Sequence, residues 1–297
     1  MTTYERIEDS RAIAQANRRE PTQWDEIVFK GLAYILLAVI GISTIFPFYW
    51  MVATSFKEEQ KVFRIPTQWI PDPFVTEGYR YLFEELPFAT FFGNSVKVSV
   101  LSTLGTVLAS SLAAYAFARV RFKGSGVLFM IVLGTMMIPY HVRLIPSFLI
   151  MHRLGLIDTH LALWLPSFFG SSYSVFLIRQ YLKTLPEELM DAAKIDGCSH
   201  FGIYGRIVLP LSKPILATVS LLTFMGSWNN LMGPLLYLNS EEKHTLTLAL
   251  TRFRGHNYTY WTYLMAGATI TILPIAIVFL FTQKYFVQSV TLTGLKG

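Results

Sequence analysis

The chain has 297 residues, of which 53% are hydrophobic and 15% aromatic while only 15% are charged, and its mean hydropathy is +0.43. That profile lies outside the range of soluble globular domains and points to a protein of the lipid bilayer. The single cysteine excludes an intrachain disulfide and a multi-cysteine metal site. The net charge of +6 resides in loops rather than in a basic stripe with interleaved aromatics, so nucleic acid is not an expected partner.

A helix of about 20 apolar residues crosses a hydrocarbon core of about 30 Å, and the chain offers six such stretches. After a polar tail over residues 1–30, Gly31 to Ala53 is the first. It is too long for the apolar region of a signal peptide and no small-residue cleavage site follows, so it reads as an uncleaved anchor. Thr54 to Thr90, rich in Pro, Trp and Phe, reads as a packed loop. Val98 to Ala118 is the second span, and the basic link Arg119 to Lys123 leads to the third, Gly124 to Ile138. The third ends indistinctly, because Pro139, His141 and Arg143 come early and a weaker apolar segment, Leu144 to Met151, continues. A tight turn at His152 to Asp158 precedes the fourth span, Thr159 to Ile178. Beyond a loop over 179–213 come the fifth, Pro214 to Leu238, the mixed polar and aromatic loop Asn239 to Thr262, and the sixth, Tyr263 to Phe281. The expected fold is therefore an all-α membrane protein of six transmembrane helices over residues 31–290, with a short tail at 291–297.

Fifteen Lys and Arg lie on the side that carries both termini, the Arg119 to Lys123 link and the 179–213 loop, against nine on the other. By the positive-inside rule that side is cytoplasmic, and the chain is a multi-pass protein with both termini inside. None of the 19 Asp and Glu residues falls within a span, which argues against a proton or cation relay and hence against an ion-coupled secondary transporter, the principal alternative. The six histidines stand singly without metal-ligand spacing, so neither a metal nor a catalytic cluster is expected.

The 179–213 loop is the most informative. Thr184, Leu185, Pro186 and Glu187 spell a T-x-x-E capping box. Glu187, Glu188 and Asp191 suit the positive end of a helix, and Gly197 suits its left-handed stop. Ser199 is placed to cap a second short helix, His200 to Val208. Leu185, Leu189, Ala192 and Ala193 form an apolar stripe, and Glu187, Asp191 and Lys194 the opposite side. A helix lying on an anionic leaflet would be basic; this one is acidic, with two alanines that admit a close neighbour, as in helix-in-groove recognition of a protein. Packing on its own bundle is the alternative use of the same helix.

Asp191-Ala192-Ala193, three residues, Gly197, nine residues and Ile207-Val208-Leu209-Pro210 resemble the EAA loop of permease subunits in binding-protein-dependent ABC importers, with Asp where that pattern has Glu. Similar stretches run along most of the chain from about residue 30: NSVKVSV (94–100), AAYAFARVRFKG (113–124), MMIPYHVRLIP (136–146), RLGLIDT (153–159), FLIRQYLKTLPEEL (176–189), SWNN (227–230) and TGLKG (293–297). They resemble the carbohydrate branch, near the second permease of maltose-type systems. The resemblance implies a coupling helix between spans 4 and 5 that docks on a cytoplasmic ATPase dimer through Glu187, Glu188, Asp191, Ala192, Ala193, Asp196, Gly197, Ile207, Leu209 and Pro210. It implies a second ATPase contact through Gly294, Lys296 and Gly297. It further implies a homologous permease partner, and an extracytoplasmic solute-binding protein met by Arg252, Arg254, Tyr258 and Trp261. The chain has no G-x-x-x-x-G-K-[ST] loop, so it is expected to bind no cofactor itself and to be non-catalytic, with ATP and Mg held by the ATPase subunits. Either Gly197→Asp or Ala193→Arg is predicted to leave insertion intact and uncouple uptake. Asn94, Lys97, Tyr140, Trp228, Asn229 and Asn230 are the candidate lining of the substrate path, with snorkelling of Lys97 and helix-to-helix hydrogen bonding of the amides as the competing uses.

Overall fold

The computed structural model describes residues 23–255 and 258–294, with side chains for 27–255 and 258–285. Helix α1, Gln23–Ser55, is apolar on every face over Ile27–Ser55, as a bilayer helix must be. It supplies most of one compact unit, residues 1–52, and the other unit comprises 53–297.

In the larger unit a 3-10 turn at Glu59–Lys61 and helix α2, Glu77–Glu84, lead to α3, Phe88–Arg119. Helices α4, Ser125–Met136, and α5, Tyr140–Arg153, are bent by 100° at the break between them. Then follow α6, Leu161–Trp164, a 3-10 turn, Leu165–Phe169, and α7, Ser172–Thr184. Helices α8, Glu188–Ile195, and α9, His200–Ile203, continue through a π turn, Tyr204–Val208, into α10, Leu209–Leu211. A 78° bend then starts α11, Lys213–Trp228. Helices α12, Met232–Tyr237, α13, Leu246–Leu250, and α14, Trp261–Gly294, complete the chain. Among the described residues four helices are long and apolar enough to cross a membrane, or up to six if each bent pair is one span.

The third expected span ends where the sequence placed its limit: α4 stops at Met136, and the 100° bend at Met137 to Pro139 sets α5, which holds the weaker apolar segment, at a new angle. Two other spans carry breaks inside their expected bounds. The fourth stands as one candidate span, Leu161–Thr184, with a local irregularity at Gly170, whose φ of +81° is open to glycine and costly for other residues. The fifth stops at Trp228 rather than Leu238, because Asn229 and Asn230 leave the helix and α12 begins separately.

Helix α3 is the axis of this unit, packed against α7, α11 and the Leu165–Phe169 turn. Its buried face is Ser95, Ser99, Ser102, Thr106, Ser110 and Ala114, at spacings of three and four. Lipid tails provide no hydrophobic drive between helices, so small residues that let backbones approach decide such contacts. Beside Gly170, the Ser171 amide donates to Ser110 Oγ at 3.0 Å, which restores part of the bonding lost there.

One end of the unit is tied by two carboxylates. Glu59 accepts from the amides of Trp261 and Thr262 at 2.8 and 2.9 Å and from the Thr262 hydroxyl at 2.6 Å, so it caps the first turn of α14 from a distant segment. Glu59→Ala is expected to cost about 1–2 kcal/mol, the range of a lost helix cap, read as a lowered melting temperature of the purified protein. Asp158 accepts from the amides of Asn239 and Ser240, the Ser240 hydroxyl and Lys243 Nζ. The Lys243 ammonium, then the Ser240 hydroxyl and the two amides, hold its carboxyl well below the usual carboxylate range. A depressed carboxyl stabilises the fold at pH values above the ordinary value near 3.9, and that contribution fades as pH falls through the native value. Asp158→Asn is expected to strip hydrogen-exchange protection from the Asn239 and Ser240 amides at neutral pH. In the native protein the same protection, corrected for intrinsic rates, will hold down to about pH 4.

Candidate functional site

The loop between α7 and α11 lies at the opposite end, beside Arg119. Arg119 Nη2 donates to the carbonyls of Leu182 and Leu185, and Nη1 to Glu187 Oε1 at 3.3 Å. The Arg119 side chain is 7% exposed and that of Glu187 77%, so this cation serves two part-buried carbonyls at the end of α7 and reaches one carboxylate at the surface. Tyr115 and His200 meet at 3.2 Å and Ser111 and Tyr204 at 2.7 Å, fastening the second helix of the loop to α3. Sequence reading had not singled out Arg119, Ser111 or Tyr204 for this, since each bond joins residues more than 60 positions apart.

The predicted capping box does not form. Thr184 is the last residue of α7 and donates to the Tyr181 carbonyl, and a helical residue cannot take the extended backbone of a cap. Glu187 stands at the N-cap of α8 without a side-chain cap bond. The other end is as expected. Gly197 has φ +76°, its amide bonds Lys194 O at 3.0 Å, and the Cys198 amide reaches back to Ala193 O at 2.9 Å. Ser199 Oγ accepts from the Gly202 amide at 3.2 Å.

The predicted apolar stripe of α8 divides into two. Met190 and Ala193 are buried in a cluster with Tyr115, Ile178, Leu182, Ile203 and Val208, while Leu185 packs at its edge. Leu189, Ala192 and Ile195 point away, Ile195 being 86% exposed, and Phe201 follows at 77%. Glu188, Asp191, Asp196 and Gly197 share that exposed side, Asp191 paired with Lys194 at 2.9 Å. The Lys194 bond lowers the Asp191 carboxyl from its ordinary range. Ala193 is thus an anchor to the bundle, and Ala193→Arg would force a cation into the core, so loss of uptake in that variant could not be separated from misfolding. Ile207 and Leu209 are half-buried and Pro210 is exposed. What the loop presents outward is a short helix with apolar residues at i, i+3 and i+6 set among carboxylates, flanked by a cavity of about 1010 Å³ bearing Arg121, Lys183 and Lys194.

The candidate path residues fall into three groups. Asn94 is a tie, donating to the carbonyls of Glu242 at 2.9 Å and His244 at 3.0 Å. Trp228 is a core residue, 1% exposed, with Nε1 donating to Thr271 O at 3.0 Å and its ring stacked on Phe224. Lys97 lines a shallow cavity beside Asp158 and Glu242, and Asn229 is exposed at the end of α11. Only Tyr140 and Asn230 meet in a cavity inside the bundle. Of the loop residues, Arg254 and Tyr258 are exposed, Arg252 pairs with Glu241 at 2.7 Å, and Trp261 packs edge-on against Phe63. Gly294 is the last described residue, within α14, while Lys296 and Gly297 lie outside the described residues. Among the described residues no group of His, Cys, Asp and Glu could hold a metal, and no candidate span carries Asp or Glu.

Residues 105–292 match the family described as binding-protein-dependent transport system inner membrane component. The arabinooligosaccharides transport system permease protein AraQ of Halalkalibacterium halodurans is 38% identical, over 91% of this chain and 98% of its own. The trehalose/maltose transport system permease protein MalG of Thermococcus litoralis is 34% identical, over 92% of this chain and 99% of its own. A chain from the crystal structure of a bacterial ABC transporter that imports the acidic polysaccharide alginate has the same fold, with a TM-score of 0.77 at 24% identity over 90% of this chain and 99% of that one. With the family matched over most of its length and relatives of this identity aligned nearly end to end, the chain belongs to the inner membrane permease components of binding-protein-dependent ABC transport systems.

Proposed function

We propose that this permease forms half of the translocation path of a bacterial importer for an oligosaccharide or related polyol, with both termini cytoplasmic. A homologous permease supplies the other half, an extracytoplasmic solute-binding protein delivers the substrate, and a separate ATPase dimer holds ATP and Mg and docks on the outward face of α8. The observation that carries the sugar assignment is the end-to-end likeness to permeases named for arabinooligosaccharide and trehalose/maltose transport. The docking assignment is supported by the geometry of α8: it is fixed to the bundle through Met190, Ala193 and the Arg119 clamp, yet leaves Leu189, Ala192 and Ile195 uncovered. A lever must be rigid at its base and free at its working face. ATP binding to the motor shifts the permease between inward- and outward-facing states only to the extent that the motor grips the two states differently.

The test is reconstitution with the cognate partner permease, ATPase and binding protein, followed by uptake of arabino- and malto-oligosaccharides. Uptake that needs ATP and survives an ionophore is expected. Uptake that persists without ATP and collapses with the ionophore would restore the ion-coupled alternative.

A further inference from the structure

A cavity of about 610 Å³ sits among α3, α7 and α11. Three breaks between helical segments open onto it. Tyr140 follows the α4–α5 bend, Ser171 follows Gly170, and Asn230 follows the end of α11. Non-helical backbone at membrane depth is tolerated where it is buried in protein or lines a water-filled space, so convergence of three breaks on one cavity marks that space as wet.

Its polar groups are uncharged: hydroxyls, with the amide of Asn230, whose Oδ1 accepts from the Gly233 amide at 3.0 Å. Ser102 and Thr106 face it from α3, Ser174 from α7, and Thr223 and Ser227 from α11. Other hydroxyls on the same helices are spent internally: Thr103, Thr218 and Ser220 each bond the carbonyl four residues back. Among the described residues these five of the cavity's hydroxyls make no such bond and remain free for a ligand. Tyr140 and Tyr173 add aromatic faces, and Leu177 and Val219 add apolar wall, the surfaces that meet the C–H side of a sugar ring. No Asp, Glu, Lys, Arg or His lines the cavity.

On the reading that this chain is a sugar permease, we propose that this cavity is its share of the path and that it passes uncharged, hydroxyl-rich carbohydrate in preference to uronates and sugar phosphates. Free hydroxyls exchange hydrogen bonds with sugar hydroxyls in either direction. A carboxylate or phosphate moving through would shed water and find no counter-charge on this wall, which is costly.

The experiment uses the full complex in proteoliposomes, with maltotriose and digalacturonate as radiolabelled probes. Thr223→Val and Ser174→Ala together are expected to slow maltotriose uptake about fivefold or more, the scale of one or two lost hydrogen bonds. Native uptake rates in that variant would overturn the assignment. Thr223→Cys on a Cys198→Ser background gives a readout that needs no turnover: maltotriose slows its labelling by a water-soluble maleimide severalfold, and labelling unaffected by sugar overturns the site. Digalacturonate carried as fast as maltotriose would sink the preference for neutral sugars while leaving the permease reading intact. ATP-driven uptake of neither probe, nor of any other oligosaccharide, would overturn both.

Discussion

Gly197→Asp and Gly197→Asn will both leave the protein folded and inserted, and both will cut ATP-driven uptake by about tenfold or more, equal to about 1.4 kcal/mol of lost docking free energy. Within this chain a Cβ at Gly197 meets nothing within 4 Å, so a new side chain there has open space around it. The remaining intrinsic penalty is the left-handed backbone at φ +76°, about 1–2 kcal/mol for most residues and least for Asn and Asp. Asparagine is therefore the discriminating substitution. It tolerates the conformation, keeps the Cys198 to Ala193 bond that ends α8, and adds no charge. A fall in uptake with Asn at 197, in a complex whose ATPase still turns over, reports a surface pressed against this glycine by another subunit. Native uptake with Asn and with Asp would mean that the end of α8 stands clear of the motor in every state, and the coupling assignment would be lost.

How much of this could be read from sequence depends on the range of the interaction involved. The stop at Gly197 and the cap at Ser199 are decided within four residues, and both formed as expected. The T-x-x-E box is equally local in spelling, yet it failed because α7 runs on through Thr184, and where a helix stops depends on what its last turn touches. The phase of α8 was not legible at all. Leu189, Ala192 and Ala193 are similar in type, and only the packing of Met190 and Ala193 against Ile178 and Leu182 turns Ile195 outward. The four long apolar helices were legible because bilayer thickness sets their length. The limit at Pro139 was marked by the proline and the polar residues after it, whereas the breaks at Gly170 and Asn229 were harder to find, since each lies inside a run that is apolar enough to continue. Trp228 and Asn94 illustrate the remaining limit. In hydrocarbon a polar side chain that lines a path and one that ties two helices look alike until the partner is seen, and here the partners are the carbonyls of Thr271, Glu242 and His244. The serine stripe of α3 was present in the sequence as a three-and-four spacing of small residues, a signal that an apolar count passes over.

Arg119→Ala will be the most damaging single change in the loop region, lowering stability by about 2–4 kcal/mol. The side chain is 7% exposed, and its removal leaves the carbonyls of Leu182 and Leu185 inside the protein without their donor. Each orphaned part-buried acceptor costs about 1 kcal/mol or somewhat more, the low end of the range for a lost partner, and lost packing of the side-chain stem adds to that. The surface contact with Glu187, 77% exposed, contributes little, so Glu187→Gln should be close to neutral in stability. Arg119→Lys separates charge from geometry. An ammonium keeps the positive charge but not the planar fork with donors in fixed directions, and is expected to recover less than half of the loss. Melting of the purified protein, followed by a thiol-reactive dye at Cys198, checks the series directly, because this half-buried cysteine packs against the cluster that Arg119 holds together. The order expected is native and Glu187→Gln highest, Arg119→Lys intermediate, Arg119→Ala lowest. If Glu187→Gln fell as far as Arg119→Ala, the clamp would be acting through the surface ion pair rather than through the two carbonyls, and the rigid base of the lever would have to be sought elsewhere.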